Sequence, residues 1–233
     1  MGCMKRKIEI GMAVFLLLSS VMVSFWGTNM VVSKNLIRDR KIVIDPGHGG
    51  QDPGKVAADG TLEKDINLEI ALRLGKYLEE QGFQVYYTRQ SDIGLYQESD
   101  SNKKMVDLKK RCQMIENINP DLVVSIHQNS YGDASVHGAQ VFYYATSEEG
   151  KALGEGIQAG IVTYTDTLNK RKAKGNDSYY ILKKTPTPIV IVECGFLSNA
   201  EECKKLGSEK YQKKLVEGIY QGILSYYQGK NKR

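Results

Sequence analysis

The sequence predicts a single α/β domain: a central mixed, largely parallel sheet with helices on both faces. Three features point there. Short β-branched runs alternate with amphipathic stretches of helical period. The runs are apolar and bounded by turn residues, as buried strands are. One strand also follows another with no helix between them, which calls for an antiparallel neighbour somewhere in the sheet.

The N-terminal residues 1–33 stand apart. Lys5, Arg6 and Lys7 precede Ile10–Ser33, a run without a charged side chain. About 20 apolar residues let a helix span a bilayer, and positive charge ahead of them sends the rest of the chain outward. A cleaved signal peptide is the alternative. No A-x-A-like site is present, because Ala13 is the only alanine before residue 57. A membrane anchor is therefore expected, with the domain outside the cytoplasmic membrane. Residues 34–40 then form a tether, 41–228 the folded domain and 229–233 a basic tail.

Within the domain, Lys41–Asp45 is β-branched and breaks at Pro46–Gly47, as a strand entering a loop does. From Leu62 to Glu80, Ile66, Ile70, Leu74 and Leu78 recur at helical spacing, and Gly82 provides the C-terminal cap. Gln84–Thr88 is the next strand, and the polar stretch Gln90–Lys104 is a loop. Met105–Asn117 is a helix, Leu122–Ile126 and Gln140–Tyr144 are strands, and Glu148–Leu168 is a helix. Tyr179–Leu182 and Ile189–Glu193 read as short strands, and Lys210–Tyr227 as a closing helix.

Composition narrows the class. The chain has 233 residues, 41% hydrophobic and 25% charged, the balance of a globular protein. Its net charge of +5 is too weak to suggest a nucleic-acid partner. Cys3, Cys112, Cys194 and Cys203 form no C-x-x-C pair, and the three within the domain are too few for a disulfide framework. Buried thiols are expected, with a Cys194–Cys203 bridge as the alternative.

Polar residues that can bind a metal stand where apolar strands end. The first strand runs into Asp45–Gly50 and carries His48, the Leu122–Ile126 strand ends at His127, and the Ile189–Val192 run ends at Glu193. Ligands of α/β sheets bind at the carboxyl edge of the strands, so these three can meet in one crevice. Glu63 follows His48 by 15 residues and opens a helix, where the dipole keeps a carboxylate ionised. Two histidines and a carboxylate form a catalytic zinc set with one position left for water. A second carboxylate off the metal must move the proton, and Glu193 is assigned that role.

Each residue has a plainer reading. His48 could be an exposed loop residue, His127 a hydrogen-bond donor to its neighbour strand, Glu63 a helix-dipole partner and Glu193 half of a buried ion pair. The shared strand-end position favours the joint site. His137, at the start of the Gln140–Tyr144 strand, competes for the third ligand position. Cys194 is excluded as a nucleophile because strand alternation turns it away from Glu193.

Four ordered motifs, Asp45-Pro-Gly-His-Gly-Gly50, Leu62-Glu-Lys-Asp65, Ser125-Ile-His-Gln-Asn129 and Val192-Glu-Cys-Gly-Phe-Leu-Ser-Asn199, resemble those of the zinc-dependent N-acetylmuramoyl-L-alanine amidases of the amidase-3 type. The resemblance covers Lys41 to Tyr227. It implies that His48, Glu63 and His127 hold zinc, that Glu193 is catalytic, and that the substrate is the amide between N-acetylmuramic acid and L-alanine of peptidoglycan. Thr167–Gly175, Leu108–Arg111 and the compact C-terminus are similar to the spore-cortex branch of that family. That branch implies muramic-δ-lactam formation with a partner deacetylase, between the membranes of a sporulating cell. Gln128 and Lys55 depart from the small residues usual in the family. The helical plug of some autolytic relatives is absent between His127 and Glu193, so control by a partner protein is expected. Lys170 and Arg171 could meet stem-peptide carboxylates, and Asn129 could position substrate. The rival readings are a zinc carboxy- or endopeptidase of the stem peptides and a catalytically silent wall-binding module.

Overall fold

A computed structural model describes residues 37–231 together with Met12 and Phe15. The chain divides into two compact units, residues 1–38 and 39–233. Ile10–Ser33, read above as an anchor or signal, lies outside the described residues apart from Met12 and Phe15, which are helical and exposed. Among the described residues no helix is long and apolar enough to cross a membrane.

In the second unit six strands form one sheet: β1 (Lys41–Pro46), β2 (Gln84–Tyr87), β3 (Leu122–Asn129), β4 (Gln140–Tyr144), β5 (Lys174–Asn176) and β6 (Ile189–Phe196). Their order is β2-β1-β3-β6-β4-β5. Neighbours are parallel except β4 and β6, which pair antiparallel with Gln140 opposite Glu193. The sheet is therefore mixed and largely parallel. The antiparallel step that the sequence calls for exists, but β4 makes it with β6 rather than with β3, which precedes it in the chain.

The helices are α1 (Glu63–Gln81), α2 (Lys103–Ile118), α3 (Glu148–Tyr164), α4 (Tyr180–Lys184), α5 (Ala200–Leu206) and α6 (Glu209–Lys230). Local chemistry sets their ends. Gly82, at φ 104°, caps α1 by donating to the Glu79 and Leu78 carbonyls, a left-handed position that suits glycine. Side-chain oxygens of Asn102, Ser147 and Ser208 accept from the first turns of α2, α3 and α6. Alternation along the strands feeds two cores. Val43, Val123, Ile189, Ile191 and Phe142 pack with Ile115 of α2 and Ile181 and Leu182 of α4. On the opposite face α3 lies over Val141, Tyr143 and Val190. There α3 and α6 touch backbone to backbone: a methyl group on Gly156 would sit 2.8 Å from the Gly222 carbonyl oxygen.

Several boundaries differ from the sequence reading. Tyr179–Leu182 is not a strand. Asn176 Oδ1 accepts from the Ser178 and Tyr179 amides and starts a turn, and the helix α4 follows. Ile181 and Leu182 are adjacent and both face the same core, which helical geometry allows and strand alternation forbids. The helix expected to reach Leu168 stops at Tyr164, and β5 and α5 are too short for their periods to show in sequence. β3 and β6 extend past their expected ends, to Asn129 and Phe196, so His127 lies within a strand rather than beyond it, and Glu193 lies within one as expected. Helix α6 continues through Lys230, which pairs with Glu149 at 2.7 Å.

Candidate metal centre

Three donors meet at the carboxyl edge of β1 and β3. His48, Glu63 and His127 place one ligating atom each within 4.8 Å of one another. Glu63 Oε1 lies 3.2 Å from His48 Nε2 and 3.1 Å from His127 Nδ1. A tetrahedral ion with bonds of about 2.05 Å has edges of about 3.3 Å, so two imidazoles and a carboxylate at this spacing suit a small divalent cation. The imidazole rings meet edge to face, with centroids 5.1 Å apart. His137 is not part of the group. It is exposed, and its Nδ1 lies 2.8 Å from the Ser135 carbonyl oxygen.

The loop from β1 to α1 bends to deliver its histidine. His48 adopts φ 62°, left-handed for a side-chain-bearing residue, a conformation that costs about 1–3 kcal/mol and must be held by its surroundings. Arg111 of α2, 1% exposed, supplies the hold. It donates to the carbonyl oxygens of His48 (2.6 Å) and Pro46 (2.7 Å) and pairs with Asp45 (2.7 Å) and Asp107 (2.5 Å). Arg89 adds bonds to the Pro46 and Gly47 carbonyls at 3.0 and 2.9 Å. Asp45 also accepts from Thr88 and Ser125. Burial opposes its charge, but the Arg111 cation and these donors prevail and set its carboxyl at about 2. Gly47 has to lack a side chain because the His127 ring occupies the space a Cβ would need.

Glu63, 4% exposed, is held as an anion. Its Oε2 accepts from the Lys55 amide at 2.8 Å, and its Oε1 from the Gln128 amide at 3.1 Å and Asn67 Nδ2 at 3.4 Å. Burial alone would raise its pKa, but hydrogen bonding and charge from His127 and His48 hold it well below the usual carboxylate range. His48 Nδ1 lies 2.9 Å from Asp52 Oδ2. Burial pulls the imidazole down, but the bonds to Asp52 and Glu63 outweigh it and raise its pKa to about 9.

Glu193 sits beside this cluster, on the strand next to His127 and in register with it. It is 6% exposed, and its Oε2 has no hydrogen-bond partner among the described residues. Burial pushes its carboxyl up to about 7, with Glu63 adding to the rise and His127 opposing it. The Tyr179 phenol, affected by burial and then by the Glu193 charge, is pushed to about 12. Cys194 is fully buried, and burial raises its thiol far above the range of a nucleophile. Cys112, Cys194 and Cys203 are all free, so the Cys194–Cys203 bridge does not form.

The remaining candidates divide. Asn129 is half-buried, and its Oδ1 accepts from the Ser130 amide. Lys170 is exposed, whereas Arg171 is fixed by several contacts. Asp52, Asn67, Arg89 and Arg111 escape sequence reasoning, although Asn67 stands one helical turn beyond Glu63 and spacing alone could have found it. Beyond its amide bond to Glu63, Gln128 reaches the site indirectly through its side chain, donating to Asn67 Oδ1 at 3.1 Å.

Known proteins match this arrangement. The family described as N-acetylmuramoyl-L-alanine amidase matches residues 42–225. The germination-specific N-acetylmuramoyl-L-alanine amidase of Bacillus subtilis is 40% identical over 80% of this chain and 79% of its own length. Among solved structures, the CwlD amidase of Clostridioides difficile in complex with the GerS lipoprotein superposes with a TM-score of 0.80 at 41% identity. That match covers 82% of this chain and all of the CwlD chain. An N-acetylmuramoyl-L-alanine amidase from Clostridium difficile 630 gives a TM-score of 0.73 at 33% identity, over 83% of this chain and 99% of that one. With fold and sequence in agreement over four-fifths of its length, the chain belongs to the N-acetylmuramoyl-L-alanine amidase family of peptidoglycan hydrolases.

Proposed function

We propose that this amidase works with zinc held by His48, Glu63 and His127, that Glu193 carries the proton, and that its substrate is spore-cortex peptidoglycan on the way to muramic-δ-lactam. The observation that carries the reading is the convergence of three donors on one point, with a buried carboxyl of free Oε2 beside them. A zinc ion held by these three residues would polarise the lactyl carbonyl and lower the pKa of an attacking water to about 7.

The chain's own residues supply the rest. Asp52 accepts a hydrogen bond from the Nδ1–H of His48 and so leaves Nε2, on the Glu63 side, as the nitrogen free to bind the metal. The amides of Lys55 and Gln128 keep Glu63 charged and fixed. Arg111 and Arg89 hold the strained loop at its carbonyls. Glu193 titrates near neutral pH, so it can take the proton of the water and return it to the alanine nitrogen as the amine departs. Asn129, Lys170 and Arg171 complete the reading as substrate contacts.

The cortex role is supported by the germination-specific relative. A regulatory protein partner is supported by the GerS lipoprotein bound to CwlD. The uncharged N-terminal run supports export and anchoring outside the cytoplasmic membrane, with 41–228 as the catalytic domain.

Mass spectrometry of digested muropeptides tests the reading. Zinc-loaded protein should release whole stem peptides from intact glycan strands, and chelation should abolish release until zinc is restored. Shortened stems would identify a peptidase instead. Peptidoglycan affinity with no bound zinc after gentle purification would identify a silent binder. Glu193→Ala should keep zinc without turnover, and turnover in that variant would refute its role.

A further inference from the structure

We propose that Arg171 reads a carboxylate of the stem peptide on the leaving-amine side of the scissile bond. The inference rests on the amidase site described above and adds a specificity residue to it. Three neighbouring strands carry the parts in sequence: β3 holds His127, β6 holds Glu193 and β4 holds Gln140. Gln140 lies directly opposite Glu193 in the antiparallel pair, so both side chains stand on the same face of the sheet, with Cβ atoms about 5 Å apart.

Gln140 brings the cation to this point. Its Oε1 accepts from Arg171 Nη1 at 3.3 Å, and its Nε2 donates to the Lys172 carbonyl at 3.0 Å. Arg171 Nε donates to the His137 carbonyl at 2.9 Å. The guanidinium carbon stands 4.8 Å from the ring centroid of Phe196, three residues past Glu193 on the same strand. Asn169 secures the backbone beneath it, accepting from the Arg171 amide at 3.0 Å and donating to the Ala139 carbonyl at 2.8 Å.

The fork is thus fixed before any ligand arrives, which removes much of the entropy a free arginine would lose on binding. Its charge is unspent. Arg40, Arg73 and Arg111 each pair with a carboxylate, whereas among the described residues Arg171 pairs with none and its Nη2 meets no acceptor. Lys170, next to it in sequence, is exposed and has no comparable brace.

Position selects the ligand. Glu193 lies between the histidine cluster and Arg171, and it must reach the amine that leaves. The peptide on that side of the bond continues past Glu193 toward β4. A residue of extended chain spans about 3.3–3.6 Å, so Arg171 faces a group one or two residues from the cut. Carboxylate is the group a planar, fixed guanidinium matches in shape and charge.

The test compares wild type and Arg171→Gln on a disaccharide-peptide with free peptide carboxylates and on the same compound with those carboxylates amidated. Wild type should lose about tenfold in kcat/KM on amidation, mostly through KM, the size of one charge-assisted hydrogen bond. Arg171→Gln should lose about the same on the acidic substrate and nothing further on the amidated one. Arg171→Lys, which keeps the charge without the fork, should recover only part of the loss. Equal loss by Arg171→Gln on both substrates, or wild-type indifference to amidation, overturns the proposal. So does a loss of bound zinc in Arg171→Gln, which would make the residue structural. If that variant fails to fold, the wild-type response to amidation alone decides. If wild type cleaves neither compound at the lactyl amide, the reading of the whole site fails, independently of Arg171.

Discussion

Glu63 and Glu193 are both buried glutamates at one edge of one sheet, and their surroundings treat them in opposite ways. Glu63 is met by two backbone amides, Asn67 and two histidines, and stays ionised. Glu193 has the same low exposure, but its Oε2 receives nothing, and its carboxyl rises to about 7. Burial is common to both, so the count of donors decides their charge. An anion with fixed geometry suits a ligand, and a carboxyl that titrates near neutrality suits a proton carrier.

The largest effect expected from breaking this contrast is on turnover. Glu193→Gln should lower kcat by about a thousandfold while zinc content, measured by atomic absorption, stays at one ion per chain. His48→Ala should lose both metal and activity, and a metal-loaded, active His48→Ala would remove it from the ligand set. Next in size is the support of that set. Asp52→Asn should weaken zinc affinity about 10–100-fold in a chelator competition, because the His48 tautomer is no longer fixed.

The smallest effect is on stability, and there the two glutamates should differ in sign. In chelated protein, the folded Glu193 binds its proton more tightly than the ordinary value of 4.5. Its contribution to stability therefore falls as pH rises from about 4.5 to about 7. The Glu63 carboxyl is depressed, so its contribution is full above the ordinary carboxylate range and is lost only as pH falls through its lowered value. At pH 7.5, Glu193→Gln should raise the thermal midpoint of chelated protein by about 2–4 °C, and Glu63→Gln should lower it. At pH 4.5 the Glu193→Gln gain should vanish. Midpoints moving in the same direction for both variants at pH 7.5 would erase the contrast.

What the sequence discloses follows the same physics. β1, β3 and β6 are apolar runs bounded by turn residues or by the polar residues at the sheet edge, and His48, His127 and Glu193 are legible because a polar residue closing such a run is costly without a purpose. Glu63 needs the helix start to be noticed. Arg111 has no such signal: it lies 66 residues from Asp45 on a helix of ordinary composition, and only the folded contact explains it. The short segments mislead for a related reason. Four residues around Tyr179 hold too little periodicity to separate a strand from one turn of helix.

The strand order has a consequence for how the protein comes into being. β6 is nearly the last element made, yet it sits in the middle of the sheet, between β3 and β4. A chain emerging N-terminus first, from a ribosome or through a membrane pore, holds five strands and all three clustered donors while a central slot stays open. Glu193 and the Phe196 shelf under Arg171 arrive together when that slot closes. On the role proposed for Glu193, chains that end before β6 should be inert on peptidoglycan, and muropeptide release by such truncations checks it.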